Sequence, residues 1–449
     1  MSWVTESNAA LLTDLYELTM AASYDAHGMR ERATFDLFIR DLPKQRRFLV
    51  SCGLEQALDY LETLHFDEES ISYLASLDTF SDDFLSRLER LRFTGDVWAI
   101  PEGEIVFANE PLLRVTAPII EAQIVETFLL NCITFQTMVA SKAARVALAC
   151  RGRRFVDFSP RRDHGADAAL KAARASYIGG AAGTSNVLGG KLYGIPISGT
   201  MAHSYVMAFD DEIDAFRAFV KDFPDRAVLL IDTFDVEEGA RRAVEVFKEL
   251  GGSADATRGV RIDSGDLARL ARSVRNILDD AGLHNVKIMF SGDLDEYRIK
   301  EFLDDDVPVD AFGVGTQLGT SGDAPSLGSC YKLVADSGGP KIKLSTGKAT
   351  LPGCKQVYRF DEKGLFSHDL IAAETEVVED GRPLLKKVMS DGQRMDGRES
   401  LDTLRGRCAR GLAHLPEELR SLEHGGEAYE VRRSPQLQEL IQKMEAQER

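Results

Sequence analysis

Cysteine is sparse in this chain and poorly placed for joint work. Cys52, Cys132, Cys150, Cys330, Cys354 and Cys408 are scattered, and no C-x-x-C pair occurs. That spacing argues against a zinc knuckle or a dithiol redox pair, and in 449 residues an even count makes no case for a disulfide framework. Long apolar runs are also missing. No stretch approaches the roughly 20 apolar residues that a membrane span needs. The opening MSWVTESNAALLTDL has no basic segment leading into an apolar one, so no secretory leader is expected and the chain reads as cytoplasmic. Positive charge is in deficit: 54 Lys and Arg against 72 Asp and Glu give a formal charge of −18. So acidic a surface repels phosphate backbones and anionic lipid heads. The expected partners are therefore small molecules, with no nucleic acid and no membrane, and an anionic ligand must find its basic contacts gathered locally. Two nucleotide signatures are absent as well. There is no G-x-x-x-x-G-K-[ST] loop, and Gly313-Val314-Gly315-Thr316 is followed by Leu318 where a dinucleotide fingerprint requires glycine.

What is present is a 44 % hydrophobic composition, enough for a well-filled core. In LLTDLYELTMAASY, Leu11, Leu15, Leu18 and Ala22 recur at helical spacing and predict one buried stripe. Further helices are expected over 53–64 and 81–91. VWAI, EIVF and LLRV, between 93 and 117, read as antiparallel strands joined by turns, and 118–150 reads as helical. The centre carries the clearest pattern: VLLIDTFD (228–235), GVRIDSGD (259–266), KIMFSGDLD (287–295) and AFGVGTQLG (311–319) are apolar runs that each end in small or acidic residues before a helical segment. Their markers Asp232, Asp263, Gly292 and Gly315 stand 31, 29 and 23 residues apart, which predicts parallel strands with crossover helices. RRFVDFS and GIPISGT are candidates for two more strands. Ligand residues in such folds gather at the carboxyl ends of the strands, where the polar residues fall here. Acids and glycines after a strand also serve as helix caps and turns, so any single run is ambiguous. After Leu333 the chain turns basic and Gly-rich. Lys341, Lys343, Lys348 and Lys355 read as a solvated face or as a local anion contact. No low-complexity linker separates this part. The expected division is 1–128, an N-terminal α+β part; 129–330, the α/β barrel with the active site; and 331–449, packing back on the N-terminal part.

Several residues in these runs can carry chemistry. His203, just past GIPISGT in Gly199-Thr200-Met201-Ala202-His203-Ser204, can be a ligand, a base, a nucleophile or a packed polar side chain. Arg261 and Asp263 fall on the same side of a strand, offering one cation and one carboxylate at its tip. Asp232, Asp235, Asp293 and Asp295 add acids at neighbouring tips, a costly crowd unless a cation such as Mg²⁺ or sugar hydroxyls lie between them. The Gly313–Thr316 turn exposes backbone N–H groups suited to a phosphate.

Taken in order, TDLYELTM, GTMAHS, RIDSGD, FSGDLDE, FGVGTQL, YKLV and LPGCKQVYR resemble the nicotinate phosphoribosyltransferase family across roughly residues 11 to 360. The resemblance implies an irregular α/β barrel of the type II phosphoribosyltransferase kind beside a second α+β domain built from both chain ends. It implies a homodimer with shared active sites, Mg²⁺ held mainly by diphosphate with no protein ligand assigned, and ATP as co-substrate. By the same resemblance His203 is the histidine phosphorylated from ATP. Tyr16 stacks on the pyridine ring from the partner subunit, with Asp14 beside it, and Phe158 is the second stacking face. Thr200, Arg261 and Arg161 hold nicotinate. Asp263, Gly292 and Asp293 surround ribose and diphosphate, with Asp263 and Asp293 acting in catalysis. Gly315, Thr316 and Lys332 bind the phosphoribosyl donor. Two departures stand out. A Phe-Gly-x-Arg-Arg element is expected around Phe158, but the chain reads Phe158-Ser159-Pro160-Arg161-Arg162, which leaves the local path open. Nicotinamide-using relatives carry an aspartate where this chain has Ser185; serine does not repel a carboxylate, so the acid is the expected substrate.

Overall fold

The computed structural model describes residues 4–250, 257–344, 350–423 and 427–447; Lys348 lies outside them. The chain divides into two compact units, Lys142–Pro325 and a second made of Met1–Ser141 with Ser326–Arg449. The divisions thus fall at 141/142 and 325/326, where the sequence suggested 128/129 and 330/331. The helix Glu126–Ala149 runs through both the expected and the observed first division.

The Lys142–Pro325 unit is built on a five-stranded sheet, in the order Arg154–Asp157, Ala311–Val314, Lys287–Phe290, Thr257–Ile262, Arg226–Leu230. Every neighbouring pair is parallel. All four central runs are strands as expected. Buried Leu229, Val260, Ile288 and Phe312 hold the sheet between its crossover helices. Those helices include Val236–Glu249, Leu267–Asp280 and Glu296–Asp304. Beyond Arg154–Asp157 the sheet continues only as single bridges, Asp157 to Thr184 and Thr184 to Ile197. GIPISGT is therefore not a full strand. Pro196 has no N–H to give a ladder, and the segment pairs through Thr184 N to Pro196 O (3.0 Å) and Ser198 N to Thr184 O (2.9 Å). Among the described residues the ladder is an open arc, a mixed α/β arrangement compatible with the irregular barrel.

The other unit draws its main sheet from both chain ends: Gly339–Pro340, Ser329–Asp336, Arg32–Ile39, Pro111–Pro118, Asp96–Ala99, Lys386–Ser390, Gln393–Arg394. Arg32–Ile39 lies inside this sheet, antiparallel to both neighbours, and no sequence signal marked it. Its buried Asp36 interrupts the apolar pattern and is matched by Lys355 at 2.8 Å, itself buried. Lys355 is thus a core cation rather than part of a solvated face. The expected stripe on Leu15–Ala26 is also revised: Leu15 is 59 % exposed, and the buried face is Glu17, Leu18 and Ala21. Glu17 is tolerated inside because Thr127 donates to it through both N (3.1 Å) and Oγ1 (2.6 Å); burial pushes its carboxyl up to about 7.

Candidate active site

The carboxyl ends of the parallel strands open into a cleft of about 670 Å³. Ten of the expected site residues line it: Phe158, Arg161, Thr200, His203, Arg261, Asp263, Gly292, Asp293, Gly315 and Thr316. Arg162 and Ser185 line it too. Tyr16 and Lys332 belong to the other unit and are not among its lining residues. Tyr16 is 48 % exposed, and its hydroxyl is bonded to Glu126. Lys332 Nζ donates to Tyr331 O at 2.9 Å and stands 4.0 Å from Glu126.

Arg261 sits on the tip of Thr257–Ile262. Nη1 donates to Thr200 Oγ1 at 2.5 Å and to Met201 O at 3.2 Å, while Nη2 reaches Asp263 Oδ1 at 3.4 Å. Its Nε is buried and makes no hydrogen bond among the described residues. Burial lowers the guanidinium pKa, and the carboxylates of Asp263 and Asp232 only partly offset it. The guanidinium carbon lies 5.9 Å from the centre of the Phe158 ring. Phe158 is fixed by its N–H to Val314 O (2.8 Å), and its ring covers Gly313, where a side chain would collide with it. Arginine and aromatic face thus form one wall.

His203 begins the short helix His203–Met207. Its Nδ1 is 3.1 Å from Thr233 Oγ1, and its Nε2 is 4.0 Å from Asp263 Oδ2. The ring is 39 % exposed, open to the cleft and held on one side only. Asp263 is set by Ser291 Oγ, which donates to its Oδ1, and by its own N–H to Asp232 Oδ2 at 2.9 Å. Thr233 and Ser291 were not picked out by sequence reasoning. Thr233 directly follows the marked Asp232 in IDTFD and Ser291 directly precedes the marked Gly292 in FSGD, so the signal lay one step away in the same turns.

The turn after Lys287–Phe290 puts Gly292 and Asp293 in left-handed backbone, φ +87° and +46°. A β-carbon on Gly292 would strike Asp263 O, so only glycine lets these two tips meet. Asp293, exposed, holds a conformation that costs a non-glycine residue on the order of 1 kcal/mol. The crowd of acids is thinner than the sequence suggested. Asp235, Asp266 and Asp295 cap helices, accepting from the N–H of Glu238 (2.8 Å), Arg269 (3.1 Å) and Arg298 (2.9 Å). That leaves Asp263 and Asp293 facing the cleft, with Asp232 buried behind them. Among the described residues no three His, Cys, Asp or Glu side chains form a metal cage, and no helix is long and apolar enough to cross a membrane.

An aromatic wall with a half-buried arginine, beside acids and a glycine-lined turn, suits an anionic ring next to a phosphorylated sugar. Comparison with known proteins agrees. The nicotinate phosphoribosyltransferase N-terminal domain matches residues 11–134, the family's central region 153–333 and its C-terminal domain 379–441. The chain is 50 % identical over 423 residues to nicotinate phosphoribosyltransferase pncB2 of Mycobacterium tuberculosis, covering 94 % of this chain and 91 % of that one. It is 42 % identical over 362 residues to the nicotinate phosphoribosyltransferase of Bacillus subtilis, covering 79 % and 74 %. Its fold superposes on human nicotinic acid phosphoribosyltransferase with a TM-score of 0.85 at 29 % identity, covering 96 % of this chain and 99 % of the other. Fold and matches together define a transferase. The chain belongs to the nicotinate phosphoribosyltransferase family.

Proposed function

We propose that the cleft joins nicotinate to 5-phosphoribosyl 1-diphosphate, releasing nicotinate mononucleotide and diphosphate, with ATP hydrolysis coupled through phosphorylation of His203. The observation that carries this reading is Arg261. It is half-buried, lies beside the Phe158 ring, and keeps a buried Nε–H with no partner among the described residues. A pyridine ring lying on Phe158 brings its carboxylate to that guanidinium and to Thr200, with Arg161 on the same wall. An aspartate at Ser185 would repel that carboxylate; serine does not.

Asp263, Gly292 and Asp293 are the groups for ribose and diphosphate, and Gly315 and Thr316 those for the 5-phosphate. The pyridine nitrogen attacks the anomeric carbon with its own lone pair while the carbon–oxygen bond to diphosphate breaks, so no general base is needed. Positive charge building on the ribose faces Asp263 and Asp293. Asp263 and Asp293 would offer carboxylate oxygens to Mg²⁺, and the ion would supply positive charge for the departing diphosphate.

With the His203 proton on Nδ1 and directed to Thr233, Nε2 keeps its lone pair. Nε2 attacks the γ-phosphorus of ATP, an N–P bond forms and ADP leaves; water later cleaves that bond and releases phosphate. The phosphoryl group places negative charge beside Asp263 and so alters the phosphate-binding region during turnover. Tyr16, supplied by the partner in a cytoplasmic homodimer, closes the second face of the ring, and Lys332 contacts the donor.

The test is mononucleotide formation from nicotinate with and without radiolabelled ATP. Stimulation by ATP with acid-labile label on His203 supports the reading. Transfer without label on His203 overturns the coupling, and no mononucleotide under either condition overturns the reaction.

A further inference from the structure

Beneath the cleft lies a cluster that this chemistry does not use. Asp157, at the end of Arg154–Asp157, is buried. Its Oδ1 accepts from Ser159 N at 2.9 Å and Ser159 Oγ at 2.6 Å, and its Oδ2 accepts from Thr184 Oγ1 at 2.8 Å. Ser159 is buried as well, and its Oγ stands 3.1 Å from Asp163 Oδ2. A serine hydroxyl has a single proton. Once that proton is directed at Asp157, Ser159 Oγ offers Asp163 only lone pairs. The 3.1 Å contact is then a hydrogen bond if the Asp163 carboxyl holds a proton of its own, and a repulsion if it does not.

Two further observations favour the protonated form. Asp163 Oδ1 is buried with no hydrogen-bond partner among the described residues, a position far cheaper for a neutral acid than for a carboxylate. Gly319 packs directly on the pair: a β-carbon there would overlap Asp163 Oδ1 and the Ser159 side chain. Gly319 ends the helix Thr316–Gly319, which begins with Thr316 in the cleft. The charged neighbours are Asp157 on the strand and His164 on the same loop, while Asp167 and Lys171 on the following helix pair with each other. The Thr316–Gly319 helix brings no charge. Burial, and then the charge of Asp157, push the Asp163 carboxyl up to about 6.

We propose that Asp163 is a positioning residue. Protonated, it clasps Ser159 and so holds the 158–162 segment, with Phe158 and Arg161, against the helix that carries Thr316, tying the ring wall to the phosphate turn. The consequence for catalysis rests on the reading of the cleft given above; the clasp itself does not.

The test uses the full-length enzyme and three variants. Asp163→Asn keeps a donor toward Ser159 at every pH, Asp163→Ala removes it, and Ser159→Ala removes the middle of the clasp. In the wild type the KM for nicotinate should rise as pH passes through about 6, with kcat changing less. Asp163→Asn should hold the low-pH KM throughout, and the two alanine variants should show a KM raised about tenfold at all pH values. Difference infrared spectra of wild type against Asp163→Asn, without substrate, should show a protonated carboxyl band that fades through the same pH range. Superposed pH profiles for wild type and Asp163→Asn, or absence of that band, would overturn the clasp. A wild type that turns over no nicotinate would instead fell the reading of the cleft, and the infrared band alone would then decide the clasp.

Discussion

Arg261 in the cleft is half-buried and Arg359 in the other unit is fully buried, and they are held in opposite ways. Arg359 meets Asp369 with two parallel bonds, Nε to Oδ1 at 2.9 Å and Nη2 to Oδ2 at 2.6 Å, between the rings of Phe107 and Phe366. Burial opposes its charge, but the bonds and charge of Asp369 outweigh it and the guanidinium pKa is raised. For Arg261 burial wins and the pKa is lowered, because its one carboxylate hydrogen bond is a long 3.4 Å approach to Asp263. A structural arginine brings its counter-ion within the fold. A binding arginine is left short of one, and the ligand supplies it.

Mutation should separate the two arginines clearly. Arg359→Ala leaves Asp369 buried and unpaired, and should cost about 3–5 kcal/mol of stability, read as a lowered midpoint of thermal or denaturant unfolding. An unchanged midpoint would remove the distinction from its structural side. Arg261→Lys keeps the charge but loses the planar fork. The KM for nicotinate should rise roughly 10- to 100-fold, more than that for the phosphoribosyl donor, with the unfolding midpoint nearly unmoved. The reverse ranking of the two KM values would reassign Arg261 to the donor.

Asp163 sharpens the contrast from the acidic side. Its folded-state pKa, about 6, lies above the ordinary value of 3.8. Its contribution to stability is therefore complete below about pH 4 and is lost as pH rises through 6. Asp163→Asn should be more stable than wild type by about 2 kcal/mol at pH 8 and equal to it at pH 4. A constant difference between the two across that range would contradict the assignment. The smallest effect on basal transfer is expected from His203→Ala, which should lose stimulation by ATP yet keep some ATP-independent synthesis. If this variant still hydrolysed ATP at the normal rate, the phosphohistidine role would be wrong.

What the sequence made legible was local. The four central strands could be read because each is a short apolar run that stops at polar residues; the tips of three line one cleft, and Asp232 at the tip of the fourth braces Asp263 from behind. Asp263 and Gly292 touch because Gly292 lacks a side chain, which the spacing alone could not say. Arg32–Ile39 was illegible because Asp36 looks like a polar interruption until Lys355, far along the chain, is folded against it. Leu15 misled for a similar reason: helical periodicity marks a face but not which neighbours cover it, and Thr127 makes buried Glu17 the better-satisfied side. Asp235 and Asp295 carried a site signal that local capping explains. The path of 158–163, open in the sequence, is set by Asp157 and by the missing side chain of Gly319.

In the proposed reaction Arg261 receives a ring carboxylate beside Phe158. Initial rates of mononucleotide formation with nicotinate, nicotinamide and quinolinate at equal concentration test that directly. Nicotinate should be strongly preferred, and the preference over nicotinamide should collapse in Arg261→Ala. A wild-type enzyme that favoured nicotinamide or quinolinate, or an Arg261→Ala enzyme that kept its preference for the acid, would contradict it.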